Sequence, residues 1–352
     1  MLTDFWPKPL EIAENNFKFK SLSNWSCNIA IGCEHACRFC YVPEVSTNRM
    51  GKRLAQHGVK DPDAEWGDYV FLRQWDSHHF ANTLKAAERT PPALLKPDGN
   101  RAVMFCTTTD PYMVIRNPDP MKQKALATQR EFLVREALRH ILHMSTLNVR
   151  ILTRSPLARQ DFDLMKQFGN RLLFGMSLPT LNNKLAKVYE PKAPAPSQRL
   201  ETLRAAKAAG IPIYVAVAPV YPECDEQDMG ETLRAIKELD PVTIFMEPIN
   251  IRADNVARIA AQGKADGVQL KTNVFDNPEA WRSYALNQMV AFEEAADYVG
   301  VYDRLHLWPD ASLGAAAAMR QFTGKCIDDG EGGATLDQWL QNHWSKISQW
   351  PK

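Results

Sequence analysis

Between about residues 100 and 265, short, near-continuous apolar runs alternate with amphipathic stretches, and few architectures accept that order. The runs at 102–106, 149–153, 172–177, 212–220 and 242–247 read as strands covered on both faces. The stretches at 123–143, 160–168, 197–209, 225–239 and 253–262 read as helices. Ser197 stands where an N-cap is expected, and Gly210 where that helix stops. Strands separated by helices make parallel β-α units. A further strand at 27–31 brings the count to about six, which predicts an α/β fold, a partial (β/α)6 TIM-like barrel.

The barrel takes up residues 25–265, a length ordinary for one barrel-type domain. Residues 1–24 read as an irregular leader. Between the loop that follows the first strand and residue 102 lies an insertion with an apolar segment at 69–72 and a helix at 77–88. His78 and His79 open that helix as capping or surface residues. Residues 266–352 read as a mostly helical region packed on the barrel, interrupted at 304–308 by a segment able to add a strand. No apolar run approaches the roughly 20 residues of a membrane span. The start lacks the basic-then-apolar pattern of an export signal, so a cytoplasmic location is expected. The net charge of +1 is not the basic excess of a dedicated nucleic-acid binder.

Chemistry enters with Cys33, Cys37 and Cys40, a Cys-x3-Cys-x2-Cys run directly after the first strand. Three thiolates there suffice for three irons of a [4Fe–4S] cube. Such clusters ordinarily take four cysteines, so the fourth iron is left open to an exchangeable ligand. One alternative is a zinc site using the same cysteines and His35, although structural zinc sites pair two ligand hairpins and no second pair follows. Disulfides are disfavoured by the odd count of seven cysteines and by the absence of a secretory context. Cys224 and Cys326 are isolated, so no auxiliary cluster is expected.

In parallel β-α barrels the working side chains come from the C-terminal ends of strands. Here those ends carry Cys106 to Tyr112, Thr153-Arg154-Ser155, Ser177 to Thr180, Ala218-Pro219 and Glu247-Pro248. A mixture of carboxylate, cation and hydroxyl suits a zwitterionic ligand.

The cysteine run resembles the signature of the radical S-adenosylmethionine (SAM) superfamily. Thr109–Tyr112, Leu152–Pro156, Ser177, Glu190-Pro191 with Pro196 and Arg199, and Ala218–Val220 are similar to the spore photoproduct lyase and DNA repair photolyase-like branch, over residues 25 to 250. The resemblance implies that SAM chelates the open iron and is reductively cleaved to a 5′-deoxyadenosyl radical that abstracts hydrogen from a substrate. It implies that Phe39 packs beside the adenine, that Asp110 with Thr109 meets the SAM ammonium, and that Arg154 and Ser177 meet its carboxylate. Arg154 stands where the branch usually has Lys, and keeps the cation. Glu247 is a further candidate for ribose or substrate. Glu190 is expected to orient Arg199 in a structural ion pair. In the lyase a hydrogen-donor cysteine precedes the Asp by three residues. This chain has Thr107 there, with Cys106 one place earlier and expected on the opposite side of the strand unless it bulges. Cys106 and Tyr112 are therefore the candidate hydrogen donors. An external one-electron reductant such as flavodoxin or ferredoxin is implied. A nucleic-acid lesion or nucleotide is the suggested substrate, with a small metabolite or peptide as the alternative; a non-catalytic metal-binding module is a third reading.

Overall fold

The structure is a computed structural model describing residues 1–15, 22–95, 100–310 and 313. It opens with β1 (Leu2–Pro9), β2 (Ala13–Glu14), β3 (Trp25–Ser26) and β4 (Ala30–Ile31), followed by α1 (Val42–Gln56), β5 (Tyr69–Gln74) and α2 (Ser77–Glu88). Then come β6 (Ala102–Phe105), α3 (Pro120–Met144), β7 (Asn148–Thr153), α4 (Phe162–Met165), β8 (Leu172–Ser177), α5 (Asn183–Tyr189) and α6 (Pro196–Ala208). The series ends with β9 (Ile213–Val220), α7 (Glu226–Lys237), β10 (Thr243–Pro248), α8 (Asn255–Asp266), α9 (Pro278–Val299) and β11 (Leu305–Leu307).

Eight strands form the main sheet in the order β11-β10-β9-β8-β7-β6-β3-β2. All neighbours are parallel except β3 and β2. The period-2 alternation of a strand sorts the side chains. Leu22, Met104, Leu173, Tyr214, Phe245 and Trp308 meet in one inner cluster. Their neighbours Val103, Leu172, Val215 and Ile244 join the larger core that contains the helices. For Met104 on β6 to share a cluster with Trp308 beyond β11, the sheet must curl on itself. It is the partial barrel expected. Gly175 permits the tightest inner contact, since a Cβ there would lie 2.1 Å from the Tyr214 ring.

Several local expectations change. The stretch 27–31 is not one strand. Trp25–Ser26 pairs with β6, and the chain then leaves the main sheet so that Ala30–Ile31 pairs antiparallel with β5. The leader is not irregular throughout: β1 lies parallel to β5, giving a second sheet of order β1-β5-β4. Helix α6 starts at Pro196, ahead of Ser197. Its first turn is closed by the Gln198 side chain accepting from the Ala195 N–H at 3.1 Å, so Ser197 is no cap. Asp76 rather than a histidine caps α2, accepting from the His79 N–H. Helix α5, read as loop, is nucleated by Asn182, which accepts from the Lys184 and Leu185 N–H groups. The segment after residue 304 does add a parallel strand, β11, at the edge beside β10. Helix α9 ties down the adjacent strand ends: the Trp281 indole donates to the Ile249 carbonyl at 2.9 Å, and the Tyr284 hydroxyl to that of Val220 at 2.9 Å. Cys326 and residues 314–352 lie outside the described residues.

Candidate functional site

The cysteine loop leaves β4 through Gly32, whose φ of +84° suits glycine and where a Cβ would strike the Tyr69 carbonyl at 2.1 Å. Gly67 (φ +98°) lies against Ala36 within the loop, where a Cβ would approach to 2.3 Å. The second sheet and its connections therefore press directly on the loop. Tyr41 fastens it to the end of β6 by donating to the Thr107 carbonyl at 2.5 Å. Glu34, buried, accepts from the Arg116 N–H at 2.8 Å and ion-pairs with its guanidinium.

Cys33, Cys37 and Cys40 all open on one cavity of about 570 Å³, together with Phe39, Arg154 and Glu247. Burial pushes the Cys33 thiol well above its ordinary value, pushes Cys37 up to about 12 and raises Cys40. Against that, the backbone N–H of His35 is directed at Cys33 and that of Val42 at Cys40, each favouring thiolate, and the Arg258 guanidinium acts on Cys40 ahead of Arg154. Three sulfurs on one wall, supplied with N–H donors, fit an iron–sulfur group, whose positive irons offset the cost of deprotonating them. Among the described residues no three His, Cys, Asp or Glu side chains converge tightly enough for a single metal ion. That tells against the zinc alternative, since a cube spreads its ligands over separate irons. His35 is instead buried beside Asp110, its Nδ1 3.4 Å from the carboxylate.

The strand-end residues divide into two groups. Cys106 and Thr107 both line the cavity, because β6 has ended at Phe105 and strand alternation no longer applies to either. The expectation that Cys106 faces away is thus corrected. Its thiol donates to the Cys27 carbonyl at 3.0 Å. Glu247 faces the cavity and accepts from the Asn250 amide at 2.5 Å. Arg154 faces it with its guanidinium 5.6 Å from the centre of the Phe39 ring.

A second group makes its hydrogen bonds within the protein, although Thr109 and Asp110 also line the cavity. The Asp110 carboxylate accepts from the Tyr112 N–H (2.8 Å), the Thr153 hydroxyl (2.7 Å) and the Arg154 N–H (2.8 Å), binding the ends of β6 and β7 together. Thr109 donates to the Gly32 carbonyl at 2.7 Å, tying β6 to the cysteine loop. Ser177 is buried, donates to the Ala218 carbonyl at 3.0 Å and is absent from the cavity wall. Tyr112 is fully buried, also away from that wall, with its phenol beside Asp161 and Arg130.

Behind Arg154 stands a buried triad. Glu190 pairs with Arg154 at 2.6 Å and with Arg199. Burial alone would raise the Glu190 pKa, but Arg199 and Arg154 outweigh it and hold the carboxyl down to about 2. Arg199 also donates to the Ser177 carbonyl at 3.1 Å. Sequence reasoning paired Glu190 with Arg199 and missed that Arg154 completes the triad. It missed altogether Asn28, whose amide holds the Thr107 and Thr108 N–H groups at 2.8 and 3.1 Å, and the α8 side chains that grip the cysteine loop. Only the polar spacing along α8 could have hinted at the latter.

The chain is similar to known proteins in sequence and in fold. Residues 27–236 match the family model described as the Radical SAM superfamily. The uncharacterized protein ORF301 of Acidianus two-tailed virus is 32% identical over 261 residues, covering 72% of this chain and 76% of that protein. The uncharacterized protein MJ0683 of Methanocaldococcus jannaschii is 24% identical over 229 residues, covering 64% and 70%. In fold, the chain is similar to a spore photoproduct lyase mutant (TM-score 0.57, 12% identity, covering 87% of this chain and 80% of that one). It is equally similar to spore photoproduct lyase complexed with dinucleoside spore photoproduct (TM-score 0.56, 13% identity, covering 84% and 80%). The matched stretch exceeds half the chain and contains all three cysteines of the cavity: this protein belongs to the radical SAM superfamily and is a radical SAM enzyme.

Proposed function

We propose that Cys33, Cys37 and Cys40 hold a [4Fe–4S] cluster whose open iron takes SAM, and that the chain uses it to abstract hydrogen from an uncharged group, a nucleotide or nucleic-acid lesion being the leading candidate. The observation that carries this is the meeting of the three sulfurs with Phe39, Arg154 and Glu247 on one cavity. When bound, the cluster and SAM supply a one-electron cleavage yielding methionine and a 5′-deoxyadenosyl radical, for which flavodoxin or ferredoxin is the proposed reductant.

The chain's own residues provide placement and shelter. Phe39 offers a flat face to the adenine. Arg154, held by Glu190 and backed by the Phe39 ring, presents its guanidinium to the SAM carboxylate. Glu247 is aimed at ribose or substrate. Asp110 and Thr109, which also line the cavity, meet the SAM ammonium, and with Ser177 they fix the backbone from which these groups project. Cys106 is the proposed hydrogen donor facing the cavity, and its buried thiol stays protonated, as a donor must.

The rest of the cavity supports an uncharged reacting group. Met104, Leu152, Ala216 and Trp308 form part of its wall. Of the arginines on its wall, Arg154 is taken up by Glu190 and the SAM carboxylate, and Arg252 pairs with Asp310 at 2.8 Å. That pattern suits a nucleobase or a small metabolite rather than a phosphate backbone. Membership in an enzyme superfamily sets aside the reading as a metal-binding module. The fold likeness to a lyase complexed with a dinucleoside photoproduct favours the nucleotide reading over a metabolite or peptide.

Anaerobic reconstitution with iron and sulfide, followed by dithionite and SAM, should produce 5′-deoxyadenosine by chromatography. A loaded protein that produces none sinks the proposal. Binding of dinucleotides and of duplex DNA, measured against salt, tests the substrate class. A duplex affinity with a salt slope near zero counts against the nucleic-acid reading.

A further inference from the structure

Helix α8 lies beyond the stretch matched by the superfamily model, yet it grips the cysteine loop. Asn255, Arg258 and Gln262 are spaced i, i+3 and i+7 and so share one helix face. The Asn255 amide donates to the Phe39 carbonyl at 3.1 Å. Arg258 donates through Nε to the Arg38 carbonyl at 3.2 Å and through Nη2 to the Cys40 carbonyl at 2.7 Å. The Gln262 side chain accepts from Arg38 Nε at 2.9 Å. Three successive carbonyls of the turn carrying the second and third cysteines therefore end on α8.

The grip is built, not incidental. Asn255 is fully buried and the Arg258 side chain is 9% exposed. Arg258 ion-pairs with Asp63, whose other oxygen accepts from the Asp254 N–H at 3.0 Å at the mouth of the same helix. The turn is held on the other side by the Arg38 N–H donating to the Tyr189 carbonyl at 2.8 Å. Backbone carbonyls in a turn need donors, and donors mounted on a rigid helix fix the turn's shape as well as satisfy it.

We propose that α8, through Arg258 and Asn255, is the positioning element of the cluster loop, holding residues 37–40 in binding shape and setting a positive charge beside Cys40. This rests on the reading of the three cysteines as cluster ligands. Arg258 touches neither SAM nor substrate; it acts through the loop. Its two consequences are separable. The hydrogen bonds slow loss of iron, and the charge favours the reduced cluster and so raises its midpoint potential.

The test uses the full chain, anaerobically reconstituted, as native protein and as Arg258→Gln, Arg258→Lys and Asn255→Ala. Iron and sulfide per chain, the half-time of iron loss to a chelator and an EPR-monitored reductive titration are measured, with circular dichroism of the apo-proteins as the folding control. Arg258→Gln is expected to lose iron about 10-fold faster and to titrate at a more negative potential. Arg258→Lys should keep the native potential while losing iron faster. Asn255→Ala should lose iron faster with the potential unmoved. Should Arg258→Gln fail to fold, the other two variants carry the test. The proposal is overturned if the folded variants release iron at the native rate and titrate at the native potential. A native protein that assembles no cluster brings down the underlying reading as well; a native protein that loads normally, with indifferent variants, brings down the α8 clamp alone.

Discussion

The strand-end wall of the cavity rests on paired charges: Arg154 and Arg199 share Glu190, and Asp110 gathers three donors from two strand ends. The cysteine loop rests on backbone contacts instead, with carbonyls 38–40 reaching α8 and Gly32 and Gly67 packed against neighbours with no room for a Cβ. The charges on the first wall are compensated before any ligand arrives, so it is preorganised. On the loop, burial keeps three thiols protonated until a cluster takes them. One wall is complete as folded, and the other is completed by loading.

That contrast can be broken by substitution. Alanine at Cys33, Cys37 or Cys40 should abolish cluster retention and SAM cleavage while leaving the apo-protein's unfolding curve within about 1 kcal/mol of native. Iron analysis and urea titration check both halves. Glu190→Gln should do the reverse in emphasis. It leaves two buried guanidinium groups without their carboxylate and should cost the apo-protein about 3–5 kcal/mol by urea unfolding. An unchanged midpoint would mean the triad contributes nothing.

The same triad sets a pH signature. The folded-state pKa of Glu190 is depressed from 4.5 to about 2, so its contribution is present above 4.5 and lost as pH falls toward 2. That loss amounts to about 3 kcal/mol for a fully buried group. Apo-protein stability measured from pH 6 to pH 2 should show the drop in that window, and Glu190→Gln should flatten it.

Smaller effects sharpen the loop side. Gly67→Ala combines a positive φ with a 2.3 Å approach to Ala36 and should cost about 1–3 kcal/mol. Iron retention should suffer along with thermal stability, since Ala36 lies between the first two cysteines. Smallest of all, Tyr112→Phe should leave SAM cleavage and product formation at the native rate, because the phenol lies away from the cavity. A clear change in product distribution would restore Tyr112 as a hydrogen donor.

The lesson about legibility follows the same division. The barrel strands were readable because strand pattern is local: a near-continuous apolar run along 149–153 or 172–177 needs no knowledge of partners. Arg154, Glu247 and Cys106 were findable as residues at strand ends, but the side Cys106 faces was not, because β6 stops at Phe105. Helix α5 was hidden because its Asn182 cap sits in a Pro-rich stretch that also reads as loop. β1 was hidden because its partner β5 lies some 67 residues on, in register Leu2 to Tyr69.

By itself the sequence determined the parallel β-α order, the three-cysteine run and the polar strand ends, since each depends on spacings of a few residues. Tertiary structure alone decided that Ser177 turns away from the cavity while Asp110, Arg154 and Glu247 line it. It alone brought Asn255 and Arg258 to carbonyls more than 200 residues earlier. The physical reason is that a hydrogen bond between distant segments leaves no periodic trace in either; it exists only once the sheet has curled and set those segments side by side.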